Sequence, residues 1–568
     1  MKKIEKVRLE LSDWLYNAGI VGLCKIFDTS DVNYKADDNY IEFDETALEN
    51  FEEKYFKYFI DKYISFTSWY KIVKFEDKLI RFDENEVDER YVKDLNEQIE
   101  YMKSKLKSAS YKSAYQIIDD KEIDLLKEEK KLKKVSKTKK QSIKDILPKI
   151  KKQNEVIGGI IKYLKKDNVK KIILGKNVIY DIITKFWSDV SFLHKNSSKN
   201  DMYLEYKKYF LDNMINYLKS KKDNFKYSCF SCDRLISNLS KPNSYDLTWI
   251  NKMGVDMSRK TSHFWNFYGD IFICPICNLV YSCIPAGFTV IRDKGIFINQ
   301  NSDINTLIKV NNTAIDNNTS FQELEEKTYF AIVDNLNQSQ IERAEKEIDN
   351  IQIVKLDSSN STRPYTFNIM SKKKLRIIKN NKKLLRGLVN VSVKIGRKNG
   401  RDIYINLYTE VINRLYDDKK LFDLISKLFY LNLDDKFKKL WNLKTIIKIN
   451  DSYIGGIMGR GIYYKEIDQI QQIGFDLRKA YKEKNAENKI NGISYRLLNA
   501  LKTKNSSKFM ETLFNAYMYL NKAIPVKFID VLKDEDKFQT IGYSFLLGLQ
   551  GEIGKLDFDK EKECSDNE

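Results

Sequence analysis

The sequence predicts a multidomain α+β protein, and three observations lead to this fold class. The chain has 568 residues, and at roughly 100 to 200 residues per domain this length allows several structural units. Apolar and polar residues alternate in parts of the first two thirds, whereas apolar residues recur every three or four positions in the last third. Two C-x-x-C pairs lie near the middle. We therefore expect an α/β N-terminal body, an inserted four-cysteine zinc-ribbon-like unit and a C-terminal helical bundle.

Composition narrows the classes of function. Hydrophobic residues make up 42% of the chain and the net charge is +19, so we expect a folded protein whose first candidate partner is a polyanion. The chain has only two histidines, His194 and His263, which excludes chemistry built on a histidine cluster. It also lacks a G-x-x-x-x-G-K-S/T run, which argues against a nucleotide-driven motor.

Residues 1–226 are expected to form the N-terminal α/β body. Val7, Leu9 and Leu11 alternate with polar residues, which is typical of a strand, and Ser12 or Asp13 then caps a helix. Aromatic-rich helices are expected over Leu48–Thr67 and much of Asp94–Lys134. The opening therefore combines a strand with several helices.

A Lys-rich helical hairpin is expected within this body, over residues 121–171. This segment has 18 lysines and 7 acidic residues, a net charge of +11, with a loop expected at Ser136–Ser142. The lysines either bind a polyanion or decorate ordinary solvated helices, and the sequence leaves both interpretations open.

Residues 227–300 are expected to form a β-rich metal-binding unit. Cys229 and Cys232 form one C-x-x-C turn and Cys274 and Cys277 the other, and four thiolates at this spacing suit one tetrahedral zinc ion. Four protein ligands leave no open position, so the metal should be structural. The alternatives are two unrelated pairs or a redox dithiol. Cys283 and His263 are reserve ligands, and Cys24 is expected in the core.

One uncharged run, Ile271–Ile291, reaches the length of a membrane-spanning helix. Pro275 and Pro285 lie inside it, so we expect strands around a metal knuckle instead of a membrane segment. The charged N-terminus, with Lys2, Lys3 and Glu5, does not resemble a signal peptide, and a cytoplasmic location is expected.

Residues 301–410 are expected to form an α/β region that ends in a basic hairpin. Two alternating segments flank Asn399-Gly400, which favours a tight turn. Ser371–Arg401 carries twelve basic residues and no acidic one, so we expect it to contact nucleic acid, with a solvated hairpin as the alternative. The candidate nucleic-acid-binding residues are Lys372, Lys373, Lys374, Arg376, Lys382, Lys383, Arg386, Lys394, Arg397, Lys398 and Arg401.

Residues 411–568 are expected to form a bundle of four to six helices. Apolar residues recur with helical spacing along this part of the chain, with short turns expected near Gly492, Pro525 and Gly542. The first such face comprises Leu421, Leu424, Ile425, Leu428 and Phe429.

The order of several motifs resembles that of a known family, the large subunit of type I-B CRISPR interference complexes, a CXXC–CXXC CRISPR-associated family. The resemblance spans most of the chain. It rests on Asp13–Gly22, the two cysteine pairs, Arg363-Pro364-Tyr365, Ser494–Leu498 and Ile541–Leu549.

The resemblance implies a non-catalytic subunit of an RNA-guided surveillance complex, Cascade. Its partners would be guide RNA, the backbone subunits, target double-stranded DNA and a helicase-nuclease. Within antiviral defence, the subunit would read the motif that flanks the target (the PAM), stabilise the R-loop and recruit the helicase-nuclease. Two other classes stay open: a stand-alone zinc-ribbon DNA-binding factor and a metal-dependent nuclease.

In related large subunits, a separately translated C-terminal fragment serves as the small subunit. Met458 is the candidate internal start here, because we expect it in a loop over Gly455–Gly461, and the product would contain 111 residues.

Overall fold

The computed structural model describes residues 6–551, except 138–140, 198, 254–266, 268–270, 301–302, 317–318, 322, 326, 329–350, 361, 371, 390, 399–400, 459–463 and 533. It combines helices with small antiparallel sheets, which confirms the predicted α+β class and the helical C-terminal region. The chain divides into two compact units. The first unit comprises Met1–Leu324 and Gln352–Phe367, and the second comprises Glu325–Ile351 and Asn368–Glu568.

Helices make up most of the first unit. Their bounds are α1 Trp14–Thr29, α2 Phe51–Tyr63, α3 Ser68–Val73, α4 Glu76–Ile80, α5 Glu89–Leu106, α6 Ala109–Ile117, α7 Leu125–Lys131, α8 Ile143–Leu164, α9 Asp167–Asp181, α10 Met202–Tyr206, α11 Asp212–Lys219, α12 Pro275–Ser282, α13 Ile284–Gly287 and α14 Ile304–Asn311. A π-helical turn, Lys207–Leu211, joins α10 to α11.

Three small sheets accompany these helices. In one, β3 pairs with β1 and β2; in the second, β4 pairs with β5; the third has the order β6, β7, β8, β9. The strand bounds are β1 Lys6–Glu10, β2 Lys35–Ala36, β3 Tyr40–Asp44, β4 Tyr227–Ser228, β5 Leu235–Ile236, β6 Thr289–Ile291, β7 Lys294–Asn299, β8 Ile351–Asp357 and β9 Tyr365–Met370.

The beginning of the chain folds as its pattern predicts. Val7 and Leu9 of β1 are buried while their neighbours are exposed. The Asp13 carboxylate accepts hydrogen bonds from the backbone N–H groups of Leu15 (2.8 Å) and Tyr16 (3.2 Å), so Asp13 is the N-cap of α1.

Helix α1 packs very closely against α12 and α13. A Cβ at Gly22 would lie 2.0 Å from the carbonyl oxygen of Cys283, and one at Gly287 would lie 2.1 Å from that of Ala18. The Lys25 ammonium is buried beside this contact and donates hydrogen bonds to the carbonyls of Ala286 (3.2 Å) and Gly287 (2.8 Å). Burial lowers the pKa of Lys25 well below its usual value. Lys25 therefore satisfies carbonyl groups where α13 ends.

The expectation of strands around a metal knuckle in Ile271–Ile291 needs correction at the centre of the run, which helices α12 and α13 occupy. At its two ends Ile273 forms an isolated β-bridge with Tyr245, and β6 is a strand. Pro275 and Pro285 lie in the first turns of these helices, where a missing N–H costs no intrahelical hydrogen bond. Among the described residues, no helix is long and apolar enough to cross a bilayer.

The Lys-rich segment 121–171 is helical, in α7, α8 and part of α9, and the described residues between α7 and α8 form a loop. Much of its charge is balanced by carboxylates that precede it in sequence. These ion pairs are Lys134–Glu100, Lys137–Glu89, Lys151–Glu84, Lys165–Glu76 and Lys171–Glu53. This pairing favours the interpretation as ordinary solvated helices.

The second unit contains a β-hairpin and a set of longer helices. The hairpin pairs β10 Ser392–Lys398 with β11 Arg401–Asn406. The helices are α15 Lys372–Asn380, α16 Lys382–Arg386, α17 Leu407–Tyr416, α18 Phe422–Leu433, α19 Leu440–Met458, α20 Tyr464–Glu483, α21 Asn488–Lys502, α22 Ser506–Tyr519 and α23 Glu535–Gln550.

Two details of the predicted bundle differ from the structure. Gly492 and Gly542 lie inside α21 and α23 instead of in turns. A Cβ at Gly542 would lie 2.2 Å from a methyl carbon of Leu501, so this glycine permits close packing of the two helices. Met458 is the last residue of α19, and not part of a loop that begins at Gly455.

A matched pair of glycine variants tests the packing of α1. Gly22→Ala should lower the free energy of unfolding by ~1–3 kcal/mol, because its methyl group would meet the backbone of Cys283. Gly159→Ala should raise it by ~0.5–1 kcal/mol, because Gly159 lies inside α8 with open space around it. Urea unfolding of the full chain checks both. Equal effects of the two substitutions would contradict the close contact.

Candidate metal centre

The first cysteine pair lies in the turn of a short hairpin. Strands β4 and β5 flank it, and the backbone N–H of Cys229 donates to the carbonyl of Arg234 (2.8 Å). The N–H of Asp233 donates in turn to the carbonyl of Cys229 (2.9 Å). Asp233 has φ of +57°, a left-handed conformation that Asp tolerates better than most residues. This tight turn places Cys229 and Cys232 side by side.

The second cysteine pair lies at the beginning of a helix. Cys274 is the N-cap of α12, and Cys277 lies in the first turn of that helix. The backbone N–H of Cys274 is 3.2 Å from Cys229 Sγ and donates to it. The helix start therefore supplies two thiols and one N–H donor to the same place.

The four sulfur atoms lie at the corners of one compact cluster. Cys229 Sγ is 3.7 Å from Cys277 Sγ, and Cys232 Sγ is 3.7 Å from Cys274 Sγ. All four lie within 4.8 Å of one another. Zinc–sulfur bonds of about 2.3 Å in a tetrahedron place sulfurs ~3.8 Å apart, so the cluster has the dimensions of a four-thiolate metal site.

Burial and charge explain why such a cluster suits a cation. Burial raises the pKa of Cys274 and Cys277 well above the usual value, whereas hydrogen bonds from Cys229, Cys274 and Cys277 lower the pKa of Cys232. Ionised thiolates repel one another at these distances, and a divalent cation removes that repulsion. The donor set therefore fits a metal ion that prefers sulfur ligands, as zinc does.

Two residues beside the cluster were not identified from the sequence as parts of the site. The Tyr16 hydroxyl lies 3.5 Å from Cys277 Sγ, and burial raises the pKa of Tyr16, so the hydroxyl stays protonated and can donate a hydrogen bond to a thiolate. Arg234 follows the first turn and donates to the carbonyl of Arg8. Tyr16 belongs to the noted Asp13–Gly22 motif, but only the fold reveals that its hydroxyl faces the sulfurs.

The motifs noted in the first unit meet in one core around the cluster. Trp14 packs against Tyr365 with ring centroids 5.3 Å apart, and the N–H of Asp357 donates to the carbonyl of Pro364 (2.7 Å). Asn17 donates to the carbonyl of Ser12 (3.0 Å) and to Asn299 Oδ1 (2.9 Å), which is a packing role. The cysteine at 283 is buried nearby but lies outside the four-sulfur cluster. His263 lies outside the described residues.

The basic segment Ser371–Arg401 is spread over α15, α16 and β10. The Lys374 side chain is only 11% exposed and pairs with Asp418 at 2.9 Å, so it is a poor candidate for contact with a partner. Lys383, Arg376 and Arg386 are exposed, and Lys382 is half-buried. Lys372 and Lys373 lie in α15, and their side chains are outside the described part of the structure.

The expected hairpin is present, with Lys398 opposite Arg401 in register and Asn399-Gly400 outside the described residues. Asp402, which lies directly after the basic segment, compensates part of the charge of the hairpin. Lys394 and Arg397 both bind the Asp402 carboxylate, at 2.7 and 2.8 Å, and the Lys394 hydrogen bond lowers the pKa of Asp402. The Arg397 side chain is still 72% exposed.

A comparison with known protein families gives one match in the part of the chain that carries the cluster. The family described as CRISPR-associated protein (Cas_CXXC_CXXC) matches residues 222–289, which include all four cysteines. No curated protein and no solved structure matches the chain. The family match therefore supports a CRISPR-associated protein of this CXXC–CXXC kind.

Proposed function

We propose that this chain is the non-catalytic large subunit of a type I-B Cascade complex. The supporting observation is that the segment matching the CRISPR-associated family brings four cysteines together in the hydrophobic core of the first unit. In the proposed role the chain recognises the PAM on double-stranded DNA, stabilises the R-loop and recruits the helicase-nuclease. Guide RNA and the backbone subunits are its proposed partners, inside the cell.

The proposed metal is one zinc ion with a structural role. Four cysteine ligands fill a tetrahedral shell and leave no position for a substrate or an activated water. Cys229, Cys274 and Cys277 are fully buried in the hydrophobic core of the first unit, which suits a site that stabilises the fold. When bound, zinc would supply the positive charge that four neighbouring thiolates require.

The proposed nucleic-acid contact is the tip of the hairpin β10–β11. Arg397 is well exposed, and its neighbours Lys398 and Arg401 carry the same charge. Phosphate groups attract such residues without regard to base sequence. Asp402 reduces the local charge, so we propose fewer contacts than the sequence segment alone suggests.

The proposed small subunit begins at Met458 and would contain α20 to α23. These helices pack directly on one another: a Cβ at Gly548 of α23 would lie 1.9 Å from the carbonyl of Gln471 in α20. The Ser494 hydroxyl in α21 accepts a hydrogen bond from Gln550 (2.6 Å). This internal packing supports a separate fragment, and on its removal Tyr543 of α23 would lose its stacking on Phe422 and Phe429 of α18.

Cysteine variants test the metal. Cys277→Ser and Cys229→Ser should reduce the zinc content from one per chain to nearly none and should lower the melting temperature, because zinc binding contributes ~10–16 kcal/mol to folding in comparable peptides. The matched control is Cys283→Ala, which removes a buried thiol outside the cluster and should retain the zinc. Elemental analysis and thermal unfolding check these outcomes. Full zinc occupancy in Cys277→Ser would exclude the proposed ligand set.

Co-purification tests the complex. The untagged gene expressed with candidate backbone subunits and guide RNA should yield one particle that contains RNA of uniform length. Intact-mass analysis should also detect a 111-residue fragment that disappears on Met458→Leu. Tight DNA binding by the chain alone, without RNA or partners, would instead indicate the stand-alone factor. Cleavage of labelled DNA by the chain alone with Mg²⁺ or Mn²⁺ would indicate the nuclease.

Salt dependence tests the hairpin. Replacing Arg397, Lys398 and Arg401 by Ala should weaken DNA binding by the complex and flatten the plot of log K against log salt by up to ~0.9 per lost phosphate contact. The charge-matched control replaces three exposed lysines of α20 by Ala, namely Lys465, Lys479 and Lys482. If the plot of log K against log salt has the same slope for the hairpin variant and the control, the hairpin is solvated and contacts no phosphate.

A further inference from the structure

The first unit contains a second concave site, which lies outside the cysteine cluster. A cleft of about 470 Å³ is lined by the ends of α2 and α9, by α3 and α5, and by the β6–β7 hairpin. This volume is within the range of small-molecule sites, ~300–1,000 Å³. We call it the tyrosine cleft because Tyr63, Tyr70 and Tyr101 line it.

Cations outnumber carboxylates in the tyrosine cleft. Its lining contains Lys71, Lys74, Lys105, Lys185 and Arg292 but only two acidic residues, Asp181 and Asp293. Lys185 lies 4.0 Å from Asp293 and donates to the backbone carbonyl of Asp181. In the described part of the chain, Lys71, Lys105 and Arg292 have no carboxylate within ion-pair distance. The cleft therefore has an excess of positive charge.

Three of these cations, which come from separate elements, lie near the Asp181 carboxylate. Burial raises the pKa of Asp181, and Lys185, Lys105 and Lys71 act against that rise. Asp181 therefore balances part of their charge, and the five cations of the lining still exceed its two acidic residues. An anion that entered the cleft would approach several ammonium groups at once.

Aromatic rings lie next to the cations. The Lys105 ammonium is 5.8 Å from the centroid of the Tyr101 ring, and the Lys74 ammonium is 6.0 Å from that of Tyr70. The Tyr63 hydroxyl accepts a hydrogen bond from the N–H of Val290 (3.1 Å), which joins β6 to the end of α2. Planar rings beside cations can hold the flat base and the phosphate of one ligand.

Arg292 at the tip of the β6–β7 hairpin has a strained backbone. Its φ is +52°, in the left-handed region that favours Gly and Asn in two-residue hairpin turns. A long cationic side chain in this position is exposed at the mouth of the tyrosine cleft.

We infer that the tyrosine cleft binds a nucleotide through its phosphate and its base. Lys71, Lys105 and Arg292 contact the phosphate, and Tyr70 and Tyr101 contact the base. The nucleotide is either free in solution or the 5′-phosphorylated end of a nucleic acid strand, since both present the same groups. The inference does not depend on the proposed function, because the tyrosine cleft is formed entirely by this chain and needs no partner subunit.

Binding to the purified full chain tests the inference. The probes are AMP, ATP, inorganic pyrophosphate, and a 3′-labelled ten-residue thymidine oligonucleotide with a 5′-phosphate or a 5′-hydroxyl. Tighter binding of the 5′-phosphorylated strand, in competition with AMP, supports a strand end as the ligand. Binding of AMP and ATP alone supports a free nucleotide. No saturable binding of any nucleotide probe would overturn the inference.

Variants then locate the binding. Lys71→Ala with Lys105→Ala should weaken nucleotide binding at least tenfold, whereas the charge-matched control Lys112→Ala with Lys208→Ala, two exposed lysines outside the cleft, should change it less than twofold. Tyr101→Leu should weaken ATP binding by ~5-fold or more and leave pyrophosphate binding unchanged, because a stacked base is lost. Equal losses in the cleft and control variants would overturn the site.

Arg292→Gly separates function from folding. Glycine accepts a φ of +52° without strain, so the melting temperature should stay constant or rise while nucleotide affinity falls at least tenfold. Unchanged affinity in this variant would exclude Arg292 from the site.

Discussion

The convergence of four cysteine thiolates on one point is the constraint on which the first unit depends. The hairpin that carries Cys229 and Cys232 has strands of only two residues each, and isolated hairpins are marginally stable in water. Forty-one residues separate Cys232 from Cys274, the N-cap of the helix that carries Cys277. A metal bound to both segments would fix a contact that neither segment stabilises alone.

That contact also determines how the N-terminal helix packs. Helix α1 lies against α12 and α13, and its Tyr16 hydroxyl reaches Cys277 Sγ. Gly22 and Gly287 permit this approach, since a side chain at either position would meet backbone. Lys25 then satisfies carbonyls at the end of α13. The opening motif Asp13–Gly22 thus packs against the helices that follow the second cysteine pair, so the two motifs form one structural contact.

Local patterns in the sequence predicted local structure well. The Asp13 cap, the alternation of β1, the cysteine turns and the β10–β11 hairpin each depend on residues a few positions apart. The helices in Ile271–Ile291 were missed, because a continuous apolar run has no period that separates helix from strand. The sequence could not decide between the two interpretations of the Lys-rich segment, because its ion-pair partners, such as Glu84 and Glu76, belong to preceding elements. The tyrosine cleft, built from five separate elements, left no pattern in the sequence.

X-ray absorption at the zinc edge of the purified chain tests directly whether one zinc ion joins the two cysteine pairs. We expect four sulfur atoms at about 2.3 Å from the metal and no nitrogen or oxygen neighbour. A shell that contains nitrogen or oxygen would show that another residue replaces one of the cysteines. Metal-free protein with the cysteines oxidised in pairs would contradict the claim outright.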